Sequence, residues 1–533
     1  MCSVAFSPAL PLNHRALSAT HELTLTKIVA TLGPASSTPE VVEELITEGV
    51  RVFRINFSHG EFSEHLASLR RVRAAAEKLN QHIGVLGDLC GPKIRVGKQA
   101  GEGTQLADGS KVAFIPEFVD AQSASRELDG LTCLKVGFHD FIFEARAGHR
   151  ILLDDGTLEL RALEQKPLGE GTALICEVLV GGLLKSNKGI NFPDTELTVP
   201  AMTDHDYRCV DFAVEHGFDF LALSFVRTAK DVRELKDYLR KQGARPARPQ
   251  NQPEGKHHFS TFGSEWRAFI PVIAKIEKPQ ALQNLEAIVT EADTIMVARG
   301  DLGVEVDAAQ VPVLQKRIIA TCHDYGKPVI VATQMLQSMI ESPVPTRAEV
   351  SDVANAIFDG ADAVMLSGET AVGKFPVKAV QMMRRISRRS NAHLRSLPMS
   401  TTTPVNARES RYRTAALAHG VKVVIRDLNA ELVIMWSQLG GGASYLSQVR
   451  MTVPVLAFSS SPEALRRMSV MFGITPLHME PPKDSNDFLI KVDQLLIERG
   501  WAREDDAVVM VAGQPFGRPG LTNTLRIHYV GEI

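Results

Sequence analysis

Lys275 and Glu277 stand two residues apart in the run Val-Ile-Ala-Lys-Ile-Glu, and Asp301 follows a second apolar run, Thr-Ile-Met-Val-Ala-Arg-Gly-Asp. In an extended strand, residues two apart leave the same face, so an ammonium and a carboxylate share one side of the first run. Charge on an apolar strand is costly unless something compensates it. Two arrangements would do so. One is a structural Lys275–Glu277 ion pair with Asp301 capping a turn. The other is a divalent cation on Glu277 and Asp301, beside a lysine that neutralises charge developing on a substrate. A second group lies in Val-Phe-Arg-Ile-Asn-Phe-Ser-His-Gly, where Arg54, Asn56 and Ser58 alternate with apolar neighbours and so point together into one site. Asp88 ends a third apolar run, Ile-Gly-Val-Leu-Gly-Asp.

The elements that must carry these residues repeat. Residues 272–303 read as a strand, a helix opened by Pro279 and a second strand, a unit that makes two adjacent parallel strands. Strand starts near Lys27, Val52, Ile83, Phe218, Val272, Thr294, Pro328 and Ala363 alternate with helical spacing, so the pattern predicts a closed (β/α)8 barrel. Arg54, Asn56, Ser58, Asp88, Lys275, Glu277, Asp301, Thr333 and Glu369 fall at strand ends, and a single mouth accommodates them all. From Cys90 to about Lys188 the helical spacing stops, Gly and Pro become frequent, and short β-runs with the turn Asp154-Asp155-Gly156 take over. The expected organisation is a leader at 1–21, a barrel from 22–88 and 189–395, and an inserted small β-barrel domain at 89–188. A surface loop at 243–270 interrupts the barrel, and an open α/β domain occupies 405–533.

The totals exclude several classes. At 533 residues, more than one core is required. With 44% hydrophobic residues, 23% charged and a net charge of −3, the chain lacks the basic excess of a nucleic-acid binder. No apolar run approaches membrane-spanning length. Six scattered cysteines without zinc spacing read as reduced thiols and a cytoplasmic setting. Residues 1–21 hold no acidic residue and one arginine, a disordered leader with organelle targeting left open.

Ten segments, in order, resemble pyruvate kinase: TKIVATLGP, RINFSHG, GPKIRVG, KGINFP, SFVR, AKIEKP, MVARGDLG, VATQML, PTRAEVSDVANAIFDGADAVMLSGETAVGK and GLTNTL. The resemblance runs from about Thr24 to the C-terminus. It implies a glycolytic phosphotransferase that moves the phosphoryl group of phosphoenolpyruvate to ADP, giving pyruvate and ATP. It further implies Mg²⁺ or Mn²⁺ on Glu277 and Asp301. Lys275 then stabilises the phosphoryl group and enolate oxygen, and Arg54 holds the phosphate. Gly300, Asp301 and Thr333 receive the substrate carboxylate, and Asn56, His59, Arg95 and Lys188 meet the nucleotide. The inserted domain becomes a lid that expels water, and the assembly a homotetramer. For protonation of the enolate, Thr333 through water and the Ser367–Glu369 region are unranked candidates.

Two departures bear on cofactor and regulation. Family members that use K⁺ hold it at positions matching Asn56, Ser58, Asp88 and the Leu89 carbonyl, and carry Asp-Thr-Lys-Gly-Pro-Glu. This chain reads Asp88-Leu89-Cys90-Gly91-Pro92-Lys93, which predicts K⁺ independence with the Lys93 ammonium as internal cation. The effector turn of some relatives corresponds to Ser437-Gln438-Leu439-Gly440-Gly441-Gly442-Ala443-Ser444, with Arg518 in a later loop. A sugar phosphate or nucleotide is the candidate effector there, on Ser437, Gly440, Gly441, Ser444 and Arg518. Competing classes are a different Mg²⁺ barrel acting on enolpyruvate, and a metabolite-binding pseudoenzyme. The first needs neither RINFSHG nor KGINFP, and the intact Lys275, Glu277, Asp301, Arg54 and Thr333 oppose the second.

Overall fold

The computed structural model describes residues 23–169, 171–242, 270–397, 413–514, 516 and 522–533. The expected leader and most of the 243–270 loop therefore lie outside the described residues. Eight parallel strands close into a barrel: Lys27–Thr31, Val50–Asn56, Gly84–Asp88, Phe220–Leu223, Val272–Ile276, Thr294–Ala298, Val329–Ala332 and Ala363–Leu366. The first pairs with both the second and the eighth, which closes the ring. Seven of the eight are buried along their whole length, the exception being Val50–Asn56. That fits strands covered on both faces, which read as continuous apolar runs. Local signals start and stop the surrounding helices. Asp204–His216 opens on a capping box between Thr203 and Asp206 and ends at Gly217, φ +71°. Arg347–Asp359 uses Thr346 and Glu349 and ends at Gly360, φ +106°.

The insert is a six-stranded mixed sheet running from Ile190–Asn191 at one edge to Thr132–Val136 at the other, with a separate two-stranded sheet. Its edges are joined by single bridges, Arg95 to Gly189 and Val96 to Val136, so the sheet curls round on itself. It also holds helices Ala121–Glu127 and Phe141–Glu144, which the sequence pattern did not predict. At seven and four residues they are too short to show a helical period. The third domain is a five-stranded sheet, four strands parallel and the edge strand Thr524–Tyr529 antiparallel. It seals the barrel's N-terminal end. Inward barrel residues such as Val52, Leu86, Ile273 and Met365 share one apolar cluster with Val433, Met435 and Val455 of this domain. Only the C-terminal mouth is left open for chemistry. Among the described residues, no helix is long and apolar enough to cross a membrane.

Candidate active site

Every barrel strand delivers a polar group to the mouth. Thr31, Asn56 and Asp88 end the first three strands, with Arg54 one turn of the pleat below Asn56. Ser224 and Glu277 directly follow the fourth and fifth, and Lys275 lies within the fifth. Asp301 sits in the helix Arg299–Glu305, which follows the sixth strand without a break; Thr333 follows the seventh and Ser367 the eighth. Thr333 and Phe225 hold left-handed backbone, φ +66° and +54°. Such conformations are costly for residues other than glycine and collect at functional sites.

The centre is an alternating charge cluster. Lys275 Nζ lies 2.9 Å from Glu277 Oε1 and 3.3 Å from Asp88 Oδ1. Arg54 Nε donates to Asp88 Oδ2 at 2.7 Å, and its Nη1 to Thr31 Oγ1 at 3.2 Å. Burial alone would lower the lysine's pKa, but Asp88 and Glu277 outweigh it and hold the ammonium above its ordinary range. Burial pushes Asp88 up, while Lys275 and Arg54 pull it further down, so it stays ionised. Glu277 goes the other way: burial raises it, Lys275 lowers it, and the nearby Asp301 raises it again, leaving a net upward shift.

Glu277 is also incompletely satisfied. Its Oε2 accepts the Phe225 N–H at 2.7 Å, but its buried Oε1, with the Lys275 ammonium 2.9 Å away, has no partner in full hydrogen-bond geometry among the described residues. A buried carboxylate oxygen without a hydrogen bond, next to a second carboxylate, is the donor set a hard divalent cation takes. The residues thus fit a Mg²⁺ or Mn²⁺ ion. Among the described residues no three or more Asp, Glu, His or Cys side chains gather for a metal, so substrate oxygens and water must complete its shell.

Ser224 belongs to this centre and was not among the residues predicted for it. Its hydroxyl accepts Lys275 Nζ at 2.8 Å and donates to the Leu89 carbonyl at 2.6 Å. A serine at the end of Phe-Leu-Ala-Leu-Ser shows no alternation of its own, although its place one residue past a strand matched that of Glu277. Thr333 Oγ1 accepts the Gly300 N–H at 2.7 Å and donates to the Ala332 carbonyl, so that backbone donor is already engaged. Of the two candidates for enolate protonation on the eighth strand, Glu369 is committed elsewhere. Its oxygens accept the N–H groups of Leu336 and Ser367 at 3.0 and 2.8 Å. The buried Ser367 hydroxyl has no partner among the described residues.

The residues expected around the nucleotide are more open. His59 is exposed beyond the second strand, and Asn56 Oδ1 accepts the Ser58 N–H at 3.2 Å. Arg95 donates to the Asn187 carbonyl at 2.9 Å, and Lys188 pairs with Asp154 at 2.7 Å within the insert. Lys93 is not brought to the Asp88 carboxylate. Arg54 and Lys275 hold both Asp88 oxygens, while Lys93 is exposed and lines a cleft between the insert and the barrel with Phe225, Arg227 and Lys278. The turn at 437–444, expected to take an effector, is also engaged internally. Ser437 Oγ accepts the Ala443 N–H at 3.3 Å and Ser444 Oγ accepts Gln448 Nε2 at 2.9 Å. Arg518 lies outside the described residues.

Comparison with known proteins gives two family matches. Residues 23–248 and 262–380 match the model of the pyruvate kinase barrel domain, and 415–528 that of the pyruvate kinase alpha/beta domain. The chain is 40% identical over 513 residues to pyruvate kinase 2 of Synechocystis sp., covering 95% of this chain and 80% of that protein. It is 39% identical over 507 residues to pyruvate kinase of Mycobacterium tuberculosis, covering 95% and 98%. To a pyruvate kinase of Agrobacterium vitis it is 39% identical over 503 residues, covering 94% and 96%.

Proposed function

Because the chain belongs to the pyruvate kinase family, we propose that it transfers the phosphoryl group of phosphoenolpyruvate to ADP using a divalent cation on Glu277 and Asp301, without needing K⁺. The observation that carries this reading is the Lys275 ammonium held between Asp88 and Glu277, with a Glu277 oxygen left without full hydrogen-bond geometry among the described residues. Glu277 and Asp301 would hold a Mg²⁺ or Mn²⁺ ion, which would supply Lewis-acid withdrawal of negative charge from the substrate's oxygens.

The side chains supply the rest. Lys275 Nζ neutralises negative charge growing on the phosphoryl oxygens and on the enolate oxygen as the bridging bond breaks. Its place is set beforehand by Ser224, Asp88 and Glu277, so little reorganisation accompanies the charge movement. Arg54, anchored by Asp88 and Thr31, presents its remaining guanidinium N–H groups to the phosphate. Thr333 offers a hydroxyl to the substrate carboxylate, releasing the Gly300 N–H to do the same. Asn56, His59, Arg95 and Lys188 would steer the ADP phosphates into line as the lid descends. The carbon that accepts a proton is served through the unpartnered Ser367 hydroxyl or Thr333, by way of water; Glu369 holds the loop that carries Ser367.

K⁺ independence has its own support. A monovalent cation would need Asp88 and the Leu89 carbonyl. Two protein cations take the carboxylate, and Ser224 takes the carbonyl. Lys93, without a partner among the described residues, brings the further positive charge from the lid hinge.

Pyruvate formation from phosphoenolpyruvate and ADP with Mg²⁺ tests the assignment. Lys275→Met should lower kcat by about 10²–10³-fold, with phosphoenolpyruvate still protecting against unfolding. A fully active Lys275→Met enzyme would remove the assignment. In tetramethylammonium buffer, added KCl should change the rate less than about twofold once matched for ionic strength. Strong K⁺ stimulation would return Asn56, Ser58, Asp88 and Leu89 to the role of a K⁺ pocket.

A further inference from the structure

The helix Arg299–Glu305, which carries Asp301, is about 10 Å long at 1.5 Å per residue and is fastened at each end to a different body. Its first residue is tied to the barrel. Arg299 Nη1 donates to Asp352 Oδ1 at 2.8 Å, and Nη2 to the Thr333 carbonyl at 2.9 Å. Its last residue is tied to the lid. Glu305 Oε1 accepts Asn191 Nδ2, from the lid's return segment, at 2.7 Å. The same oxygen pairs with Lys278, the residue after Glu277. The Glu305 side chain is 1% exposed, and its other oxygen has no hydrogen-bond partner among the described residues. The lid's Asp154–Gly156 turn lies over this helix as well: a Cβ on Gly156 would stand 3.5 Å from Val304 Cγ1.

We propose that Glu305 is a positioning residue that couples the lid to Asp301 through this helix, with Asn191 as the lid's contact. A buried carboxylate shared by an amide and an ammonium needs both donors. When the lid lifts, Asn191 withdraws and only Lys278 remains, so the end of the helix is drawn toward the fifth strand while Arg299 stays fixed. Asp301 lies between the two anchors and must move with that tilt. Displacements near 1 Å are enough to cost two orders of magnitude in a catalytic arrangement. Cation binding is thereby made conditional on a seated lid. The proposal rests on Asp301 being a cation ligand in a phosphoryl-transfer site.

The test uses full-length protein and Mn²⁺ as the probe. Bound Mn²⁺ is read by electron paramagnetic resonance with phosphoenolpyruvate present and ADP absent, so that nothing turns over. Asn191→Ala and Glu305→Gln should each weaken Mn²⁺ binding about 10-fold, the usual cost of losing an outer support of a metal site. The double variant should be no worse than the weaker single, because both break one connection. Mn²⁺ affinities within twofold of the parent, or losses that multiply in the double variant, would overturn the coupling. Should Glu305→Gln fail to fold, Asn191→Ala decides alone by the same criterion. A parent protein that forms no pyruvate would defeat the functional reading itself. An active parent whose variants bind Mn²⁺ normally would defeat only the coupling.

Discussion

The two ends of the barrel are built from the same kinds of buried charge and differ in what is left over. At the N-terminal end Asp219, Asp293 and Asp362 precede the fourth, sixth and eighth strands. Each gives one oxygen to a backbone N–H near the start of a neighbouring strand: Val85 and Val272 at 2.8 Å, Val329 at 2.9 Å. The other oxygen takes a cation, Arg466 at 2.8 Å, Lys236 at 3.1 Å and Arg450 at 3.3 Å respectively. At the mouth Glu277 begins the same way, with a backbone N–H on one oxygen, and then stops short: its second oxygen has an ammonium nearby but no hydrogen bond. Buried charge alone therefore does not mark a site. At the N-terminal end the completed carboxylates are scaffold, whereas Glu277 at the mouth, incomplete and beside Asp301, has room for a ligand.

That contrast breaks most visibly in substitutions that exchange the two outcomes. Glu277→Gln should cut pyruvate formation by about 10³-fold without lowering the melting temperature, since a partly unsatisfied buried charge is replaced by a neutral group. Calorimetry beside the activity assay checks both halves. A lowered melting temperature with activity tracking the folded fraction would make the mouth one more scaffold cluster. Asp293→Ala should do the reverse. It takes the carboxylate from the Lys236 ammonium, 4% exposed, which keeps a neutral acceptor in the Glu291 carbonyl, and from the Val272 N–H, and should cost about 3–5 kcal/mol in urea unfolding. The KM for phosphoenolpyruvate should not move. A changed KM would show the two ends to be coupled.

Much of the mouth was legible in the sequence, for a physical reason. Strand alternation has a period of two, so Lys275 with Glu277 could be placed on one face from spacing alone, and they do meet, at 2.9 Å. Eight strand starts could be counted because buried parallel strands are unbroken apolar runs. Boundaries slipped by two residues: the second strand begins at Val50, directly after Gly49, and the fourth at Phe220, separated by two residues from the Gly217 helix end, not at Val52 and Phe218. Contacts between distant strands were not legible. Arg54 with Asp88, and Ser224 with both Lys275 and Leu89, depend on barrel register, which no local period encodes. Nor was the other end. Placing the informative polar residues at one mouth overlooked Phe-Asp-Phe, Ala-Asp-Thr and Ala-Asp-Ala, where an aspartate opens each of three strands.

The gentlest test of the comparison is pH, because the N-terminal end should govern stability and leave turnover alone. His323, whose Nε2 lies 2.9 Å from the Gly360 carbonyl, is lowered from 6.5 to about 3 by burial and then by Arg450. Its unfolded form binds the proton more tightly, so its contribution is present above 6.5 and lost as pH falls. Asp362 is raised from 3.8 to about 6 by burial, which Arg450 and backbone N–H groups only partly oppose. Its folded form binds the proton more tightly, so its contribution is lost as pH rises from about 4 to about 6. The two slopes oppose each other across that window, and removing either group should expose the other. Measured as urea midpoints against the parent, His323→Gln should gain stability as pH is lowered from 6 to 4, and Asp362→Asn should lose it. Each change should be about 2 kcal/mol, in opposite directions, with the pH dependence of kcat unchanged in both. Parallel slopes, or a kcat profile that shifts with either variant, would mean that the sealed end and the open mouth do not divide stability and chemistry between them.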